Sequence, residues 1–177
     1  CNTYTHPERN TNMERTVRVE NVKNNFGEGI PKSLPKRKLT LESCQLWSYS
    51  VGQQADKTVQ IANYYDKNRN LVFQKIRDKD KNFYTIGNIK EARLYGQEKW
   101  NGNGKIICIC EGEIDTISLS QIFNHKYPVV GIPNGVNGAV KSIKKELEFL
   151  ETYETIVLFF DQDKHGFEAA QKVAELF

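Results

Sequence analysis

Long apolar runs are missing from this chain of 177 residues. No stretch approaches the ~20 apolar residues that a membrane-spanning helix needs, and the N-terminus has no apolar run of the kind found in signal peptides. Charged residues make up 27% of the chain and hydrophobic residues 38%, a balance typical of ordinary soluble proteins. These absences exclude a membrane-spanning class, and we expect a cytosol-like compartment.

Cysteine is scarce, with four in the chain, and the spacing of the four argues against a zinc site. Cys108 and Cys110 are two residues apart, whereas zinc sites use CxxC pairs, and neighbours on one strand face make poor disulfides. We therefore expect both thiols to pack in a core, and Cys44 to be a buried helix residue. Cys1 cannot hold zinc by itself.

The charges are unevenly distributed. Residues 1–104 hold 18 Lys and Arg against 11 Asp and Glu, and residues 105–177 hold 7 against 11. A basic half joined to an acidic half predicts that one part meets a polyanion while the other holds cations. Two differently solvated surfaces are the alternative interpretation.

The first half of the chain predicts an arm and then a hairpin. Residues 1–36 are polar and show no period, and the arm is expected to extend to residue 38. Thr40 predicts the N-cap of a short helix. Alternating residues 58–65 and the run 71–76 predict two antiparallel strands joined by turn residues.

The second half predicts a parallel sheet. Apolar strands alternate with helical segments, and continuous apolar strands indicate a parallel sheet covered on both faces, hence an α/β class. The predicted strands are residues 106–110, 129–132 and 155–160, and the predicted helices are residues 115–123, 139–150 and 166–177.

Acidic residues follow two of these strands. EGEID begins at Glu111, directly after the first strand, and Asp161 and Asp163 follow the third. Parallel strands bring such residues to one edge of the sheet, where ligands bind. Like charges at short range raise one another's pKa, and a hard divalent cation relieves the conflict. The pattern therefore predicts a site for Mg²⁺ (or Mn²⁺) rather than a site for a softer metal.

The combination of Glu111–Gly112, a PNG turn at residues 133–135, and Asp161-x-Asp163 before Gly166 resembles a TOPRIM domain. Upstream, LVFQKIRDKDKNF at residues 71–83 and the segment 94–100 resemble the primase half of bacteriophage primase–helicases and their mitochondrial helicase relatives. The resemblance runs from about residue 39 to residue 177. It implies a small α+β lobe at 39–104 and a TOPRIM lobe with a mostly parallel sheet at 105–177, the latter expected to be truncated.

The resemblance also implies residue roles. Glu111 would act on metal or as a base, and Asp161 and Asp163 would bind metal with support from Asp115. Lys75 and Lys81 would contact nucleotide phosphates as part of the catalytic set. The expected nucleotide or nucleic-acid contacts are Lys75, Arg77, Lys79, Lys81, Asn134 and Gly135. For the lysines, the alternative is a solvated hairpin end.

Five aromatic residues lie among these basic residues. They either stack on a single-stranded template or fill the core of a small lobe, and core packing is favoured because aromatics dominate small cores. The five are Tyr64, Tyr65, Phe83, Tyr84 and Trp100.

By this resemblance the chain is a primase core that copies single-stranded DNA into RNA primers from ribonucleoside triphosphates. A helicase domain and a replication polymerase are the expected partners, in the cytoplasm of a bacterial host or, for a eukaryotic relative, in mitochondria. Zinc is expected only in a module outside this chain, and Cys1 is either the last ligand of that module or a fragment end without a role. No GxxxxGK[ST] motif is present, so helicase activity lies elsewhere. The alternatives are a TOPRIM nuclease or topoisomerase, and a retired primase domain that only binds single-stranded DNA.

Overall fold

The computed structural model describes residues 25–54 and 56–177, and its first feature is a five-stranded antiparallel sheet. The strands lie side by side in chain order. Helix α1 (Leu41–Leu46) precedes the second strand, and the hydroxyl of its N-cap Thr40 accepts a hydrogen bond from the N–H of Ser43, as predicted. The strands are β1 (Gly29–Ile30), β2 (Tyr49–Gln54), β3 (Lys57–Tyr65), β4 (Leu71–Asp78) and β5 (Phe83–Gly87).

The two turns that flank β4 are built alike. Residues 66–70 read DKNRN and residues 78–82 read DKDKN. In each, the leading aspartate accepts hydrogen bonds from the N–H groups two and four residues later and from the side chain of the closing asparagine. The fourth residue, Arg69 or Lys81, has a left-handed φ of 65°. The predicted hairpin of β3 and β4 is confirmed, and β4 ends at Asp78 because that carboxylate organises the next turn.

A three-stranded parallel sheet forms the second half of the fold, as predicted. Strand β6 lies between β7 and β8, and its bounds coincide with the apolar run expected from the sequence. The expected α/β class, an α+β part joined to a mostly parallel sheet, is therefore confirmed. The strands are β6 (Ile106–Cys110), β7 (Val129–Gly131) and β8 (Thr155–Phe159), and the helices are α2 (Glu113–Ile122), α3 (Ala139–Lys145), α4 (Leu147–Leu150) and α5 (Lys164–Ala174). Short 3₁₀ helices lie at Pro35–Arg37, Gln97–Lys99 and Val136–Gly138.

The prediction of one continuous helix over residues 139–150 is wrong. The segment 139–150 is interrupted at Glu146, which has φ −108° and ψ 18° between α3 and α4. Its carboxylate accepts hydrogen bonds from Arg93 Nε at 3.2 Å and Gln97 Nε2 at 2.9 Å. The helix is interrupted where these long-range contacts form, and the helical periodicity of the sequence does not predict the interruption. The other two helices also begin two residues earlier than predicted, at 113 and 164.

The two sheets share a hydrophobic core. Tyr64 and Phe73 of the antiparallel sheet are buried in one cluster with Cys108, Cys110 and Ile117 of the parallel half. The segment that follows β5 also pairs with β7, because Tyr95 and Gly131 exchange backbone hydrogen bonds of 2.8 and 3.0 Å. The two sheets are therefore held together by one shared hydrophobic cluster.

The cysteine predictions are confirmed for the described residues. Cys44, Cys108 and Cys110 are buried thiols, and burial raises the pKa of each. Cys1 and residues 2–24 of the predicted arm lie outside the described residues, whereas the later part of that arm contributes β1. Within residues 25–54 and 56–177, no helix combines the length and the apolar character needed to cross a membrane.

Candidate active site

A cavity of about 200 Å³ lies between the two sheets. One wall comes from β2 to β5, and the other comes from the segment after β6, the turn after β7 and the segment after β8. Its lining residues are Tyr49, Ala62, Lys75, Arg77, Phe83, the segment 111–115, Gly135 and Asp161. Basic and acidic side chains thus face one space from opposite sheets.

The acidic wall is built by strand ends, as expected from the sequence. Cys110 pairs with Phe159 at the ends of β6 and β8, so the next residues of both strands leave the sheet side by side. The N–H of Asp161 donates to Oε2 of Glu111 at 3.2 Å. Asp115 adds a third carboxylate from the first turn of α2. The structure therefore brings Glu111, Asp115 and Asp161 to the same cavity.

The electrostatics of this wall favour a bound cation. Burial raises the pKa of Glu111, and the charges of Asp161, Asp163 and Asp115 raise it further against the opposing effect of the Asp161 N–H. Burial also raises the pKa of Asp115, followed by the charge of Asp161. In the part of the chain that the structure describes, no three His, Cys, Asp or Glu side chains are close enough to hold one ion together. The donors are nevertheless all carboxylate oxygens, which fit Mg²⁺ completed by water.

Asp163 has a different position from the other expected metal ligands. It is the N-cap of α5, and its Oδ1 accepts a hydrogen bond of 2.8 Å from the N–H of Gly166. It lines a neighbouring groove with Asp161 and not the cavity itself. Gly166 has no room for a side chain, because a Cβ there would lie 2.0 Å from the carbonyl oxygen of Asp161. This close approach keeps the turn after β8 tight.

The basic wall contains two of the four expected cationic residues. Lys75 and Arg77 alternate on β4, point to the same side and line the cavity. The ring centroid of Phe83 lies 5.4 Å from Lys75 Nζ and 5.4 Å from Arg77 Cζ. Lys79 and Lys81 are exposed in the turn after β4 and do not line the cavity.

The aromatic residues divide between core and surface. Tyr64 is 1% exposed, which agrees with the core interpretation, and Trp100 packs against the core of the parallel half. Phe83 and Tyr84 are 54% and 38% exposed, so burial does not account for them.

Glu113 was missed by the sequence reasoning. It is buried, accepts a hydrogen bond from the hydroxyl of Tyr64, and lies 3.0 Å from Lys75 Nζ. Lys75 also donates to the carbonyl oxygen of Pro133 at 3.3 Å. The signal was present in EGEID, because a second glutamate in the first turn of a buried helix needs a cationic or hydroxyl partner.

The PNG turn separates two cavities. Gly135, with a left-handed φ of 58°, lines the first, whereas Pro133 and Asn134 line a second cavity of about 240 Å³. The expected nucleic-acid contacts Asn134 and Gly135 therefore face different spaces. The cationic residues around the second cavity are Lys90, Arg93, Lys141 and Lys145.

Sequence comparison places both halves of the chain in known families. The family model described as "Bacteriophage T7 DNA helicase/primase, N-terminal a+b fold" matches residues 29–87, and the one described as "Toprim-like" matches residues 108–177. The DNA helicase/primase of Enterobacteria phage T3 is 37% identical over 154 residues, covering 86% of this chain and 27% of that protein. This chain belongs to the TOPRIM primases of the phage primase–helicase family.

Solved structures agree with this assignment to the phage primases. The crystal structure of the primase fragment of the bacteriophage T7 primase–helicase superposes with a TM-score of 0.81 at 38% identity, covering 85% of this chain and 63% of that one. In a second structure, T7 primase domains of two gp4 subunits, bound to an RNA/DNA hybrid and dTTP, interact with the lagging-strand DNA polymerase. It matches with a TM-score of 0.82 at 37% identity, covering 87% of this chain and 80% of that one. The DnaG catalytic core shares the fold, with a TM-score of 0.57 at 14% identity, covering 80% of this chain and 57% of that one. The chain thus spans about a quarter of the T3 protein and less than two thirds of the T7 primase fragment.

Proposed function

We propose that this chain is the primer-synthesising core of a phage primase–helicase. It joins ribonucleoside triphosphates into short RNA on a single-stranded DNA template. The observation that supports this is the cavity between the sheets, where carboxylates on one wall face cations on the other. Nucleotidyl transfer needs both, because the attacking 3′-oxygen must be positioned while charge on the departing pyrophosphate is neutralised.

The acidic wall would hold the divalent cation. Glu111, Asp115 and Asp161 line one cavity and would supply oxygen ligands that water completes, and Asp163 adds charge from the N-terminus of α5. Bound Mg²⁺ (or Mn²⁺) supplies Lewis-acid chemistry at the phosphate oxygens. Glu111 would hold that cation or accept the proton of the attacking hydroxyl, and the hydrogen bond that its carboxylate accepts from the Asp161 N–H supports a position beside the other acids.

The basic wall would hold the triphosphate and the base. Lys75 and Arg77 present their charges to the cavity, and the exposed ring of Phe83 offers a flat surface beside them. Base stacking on such rings tolerates any sequence. Lys79 and Lys81 extend from the hairpin end, where they can reach phosphate oxygens beyond the cavity. Gly135 lets backbone come close to a nucleotide.

The partners follow from the family. We expect a helicase domain and a replication polymerase to work with this core in the cytoplasm of the host bacterium. The T7 relative contacts its lagging-strand polymerase through primase domains. Initiation on a template would draw on a zinc-binding module, whereas extension of an existing primer needs the cavity alone.

The test is incorporation of labelled ribonucleotides on single-stranded DNA with Mg²⁺. One reaction starts without primer, and a second supplies a short RNA, because the second isolates chain extension from initiation. Asp161→Ala should abolish incorporation in both. The matched control is Glu154→Ala, which removes an exposed carboxylate next to the opposite end of β8 and should leave incorporation unchanged.

Three outcomes would contradict the proposal. Nicking of plasmid DNA without incorporation would favour a TOPRIM nuclease. A gel shift with single-stranded DNA but no product, even with supplied primer, would favour a binding module. Full activity of Asp161→Ala would show that the carboxylate of Asp161 on the acidic wall is not needed for the reaction.

A further inference from the structure

Tyr64, Lys75 and Glu113 form a contact at the wall of the cavity. Glu113 is 9% exposed, and its Oε1 accepts a hydrogen bond from Tyr64 and lies 3.0 Å from Lys75 Nζ. Oε2 of Glu113 lies 3.3 Å from the same nitrogen. The contact joins β3 and β4 of the antiparallel sheet to the first turn of α2 in the parallel half.

Tyr64 is held in place by its own packing. Its ring lies 5.3 Å from the ring of Phe73 and 5.2 Å from the ring of Tyr95, both buried. A tyrosine fixed in this way aims its hydroxyl at one point. The carboxylate of Glu113 is therefore held by a rigid donor on one side and by the ammonium of Lys75 on the other.

Lys75 gains an orientation from these contacts. A lysine side chain is long and flexible, and its ammonium has three hydrogens. The ammonium of Lys75 donates hydrogen bonds of 3.3 Å to Oε2 of Glu113 and 3.3 Å to the carbonyl oxygen of Pro133, which uses two of its hydrogens. One hydrogen is left for a ligand, and Lys75 lines the cavity.

We propose that Tyr64 and Glu113 are positioning residues that orient the ammonium of Lys75 toward a phosphate oxygen of the nucleotide in the cavity. This inference rests on the proposed function for its activity readout but not for its structural readout. It assigns a role to the buried Tyr64, which does not line the cavity, and to Glu113, a cavity-lining residue whose carboxylate contacts both Tyr64 and Lys75. Tyr64 acts through Glu113, and Glu113 acts through Lys75.

The structural readout is the reactivity of the Lys75 amine. The 177-residue chain is treated with an amine-acylating reagent, and mass spectrometry follows Lys75 with the exposed Lys79 as an internal reference. Glu113→Gln removes the carboxylate that pairs with Lys75 Nζ and should raise the Lys75 labelling rate about tenfold. Tyr64→Phe removes the donor that holds this carboxylate in place and should raise the rate less, but measurably. Tyr95→Phe is the matched control, because it removes a buried hydroxyl that donates to the Trp47 carbonyl oxygen at 3.0 Å.

The activity readout is kcat/KM for the ribonucleotide in the primer-extension reaction. Tyr64→Phe should lower it about tenfold, with little change for Tyr95→Phe and an unchanged melting temperature relative to that control. If Glu113→Gln fails to fold, Tyr64→Phe alone decides the result.

The outcomes separate this inference from the proposed function. If the wild-type chain incorporates no ribonucleotide, the proposed function is wrong. The Lys75 labelling rates would still decide whether Tyr64 and Glu113 hold Lys75. Equal Lys75 labelling in wild type, Tyr64→Phe and Glu113→Gln would overturn the inference. Faster labelling with unchanged kcat/KM would also overturn it, because the orientation of Lys75 would then not matter to the reaction.

Discussion

The ammonium of Lys75 lies 3.0 Å from a carboxylate oxygen of Glu113, so a strand of the antiparallel sheet is joined by an ion pair to the first turn of α2. Lys81, six residues further on, is exposed in a turn instead. The chain leaves the strand at Asp78, and the two lysines therefore cannot act from one strand face. Substitutions of the two lysines should therefore differ in their effects on protein stability and on the kinetics of primer extension.

Lys75→Ala should lower kcat/KM for primer extension about 100-fold, because one charged donor is removed from the cavity. It should also lower the melting temperature, because Glu113 is left buried without its cation.

Lys81→Ala should raise the KM for the ribonucleotide with little change in kcat or stability. Arg69→Ala is the control, because Arg69 holds the same position and φ in the other turn. An unchanged KM in Lys81→Ala would exclude Lys81 from nucleotide binding.

Asp163 should reveal two roles when its substitutions are compared. Asp163→Asn keeps a side-chain oxygen that accepts from the Gly166 N–H, so the free energy of unfolding should change little. Asp163→Ala loses the N-cap, so its free energy of unfolding should be about 1 kcal/mol lower. Both should lose primer extension if the charge supports metal binding, as measured by incorporation and urea unfolding. Full activity in Asp163→Asn would limit Asp163 to capping α5.

Divalent metal should stabilise the folded chain in a pH-dependent way. Because the folded state raises the pKa of Glu111 and Asp115, it holds their protons more tightly than the unfolded chain does. The metal-free protein should then lose stability as pH rises through these raised pKa values. Mg²⁺ at about ten times its Kd should add about 1.4 kcal/mol, and more near pH 8 than near pH 5.

Thermal unfolding in EDTA and in Mg²⁺ at both pH values checks this expectation. Glu111→Gln should lose most of the Mg²⁺-dependent gain, whereas Glu154→Gln at the other end of β8 should keep it. Equal gains in wild type and Glu111→Gln would show that Mg²⁺ binds elsewhere.

Strands with a continuous apolar run or a clear alternation could be predicted from the sequence, and strands with neither could not. Strand β6 was predicted to the residue because its run is continuously apolar and bounded by Lys105 and Glu111. Strands β2 and β5 were missed, since YSVGQQ does not alternate and FYTIG is mostly exposed. Their formation is set by pairing with β3 and β4, which is a long-range property.

The candidate site divides in the same way. Glu111 and Asp161 were predictable because strand ends of a parallel sheet meet by topology. The burial of Glu113 depends on Tyr64, 49 residues earlier in the chain, and local pattern carries no such information. The break at Glu146 likewise depends on Arg93 and Gln97, which lie 53 and 49 residues away.

Glu146 should contribute to stability more than its neighbours on the same segment. Its side chain is 10% exposed and accepts from Arg93 and Gln97. Glu146→Gln should lower the free energy of unfolding by about 2 kcal/mol, less than for a fully buried pair because Arg93 is partly solvated. The exposed Glu148 is the control, and Glu148→Gln should stay within about 0.5 kcal/mol. Similar urea midpoints for both variants would contradict this.

The second cavity should bind the phosphate backbone of the nucleic acid that the first cavity uses. Lys90 and Lys141 are exposed on its rim, and within residues 25–54 and 56–177 neither forms an ion pair. The turn at residues 133–135 brings this rim next to the first cavity, because Asn134 lines the second cavity and Gly135 lines the first. Lys90→Ala combined with Lys141→Ala should therefore weaken binding of single-stranded DNA.

The salt dependence of binding makes this prediction specific. Removing one lysine that pairs with a phosphate should reduce the slope of log K against log salt by about 0.7 for a single strand. The slope of the double variant should thus fall by about 1.4, while melting temperature and Mg²⁺-dependent stabilisation stay unchanged. Lys172→Ala on α5, which lines neither cavity, should keep the wild-type slope. If the double variant and Lys172→Ala show the same slope in fluorescence-anisotropy titrations, the strand does not cross the second cavity and must leave the first cavity by another side.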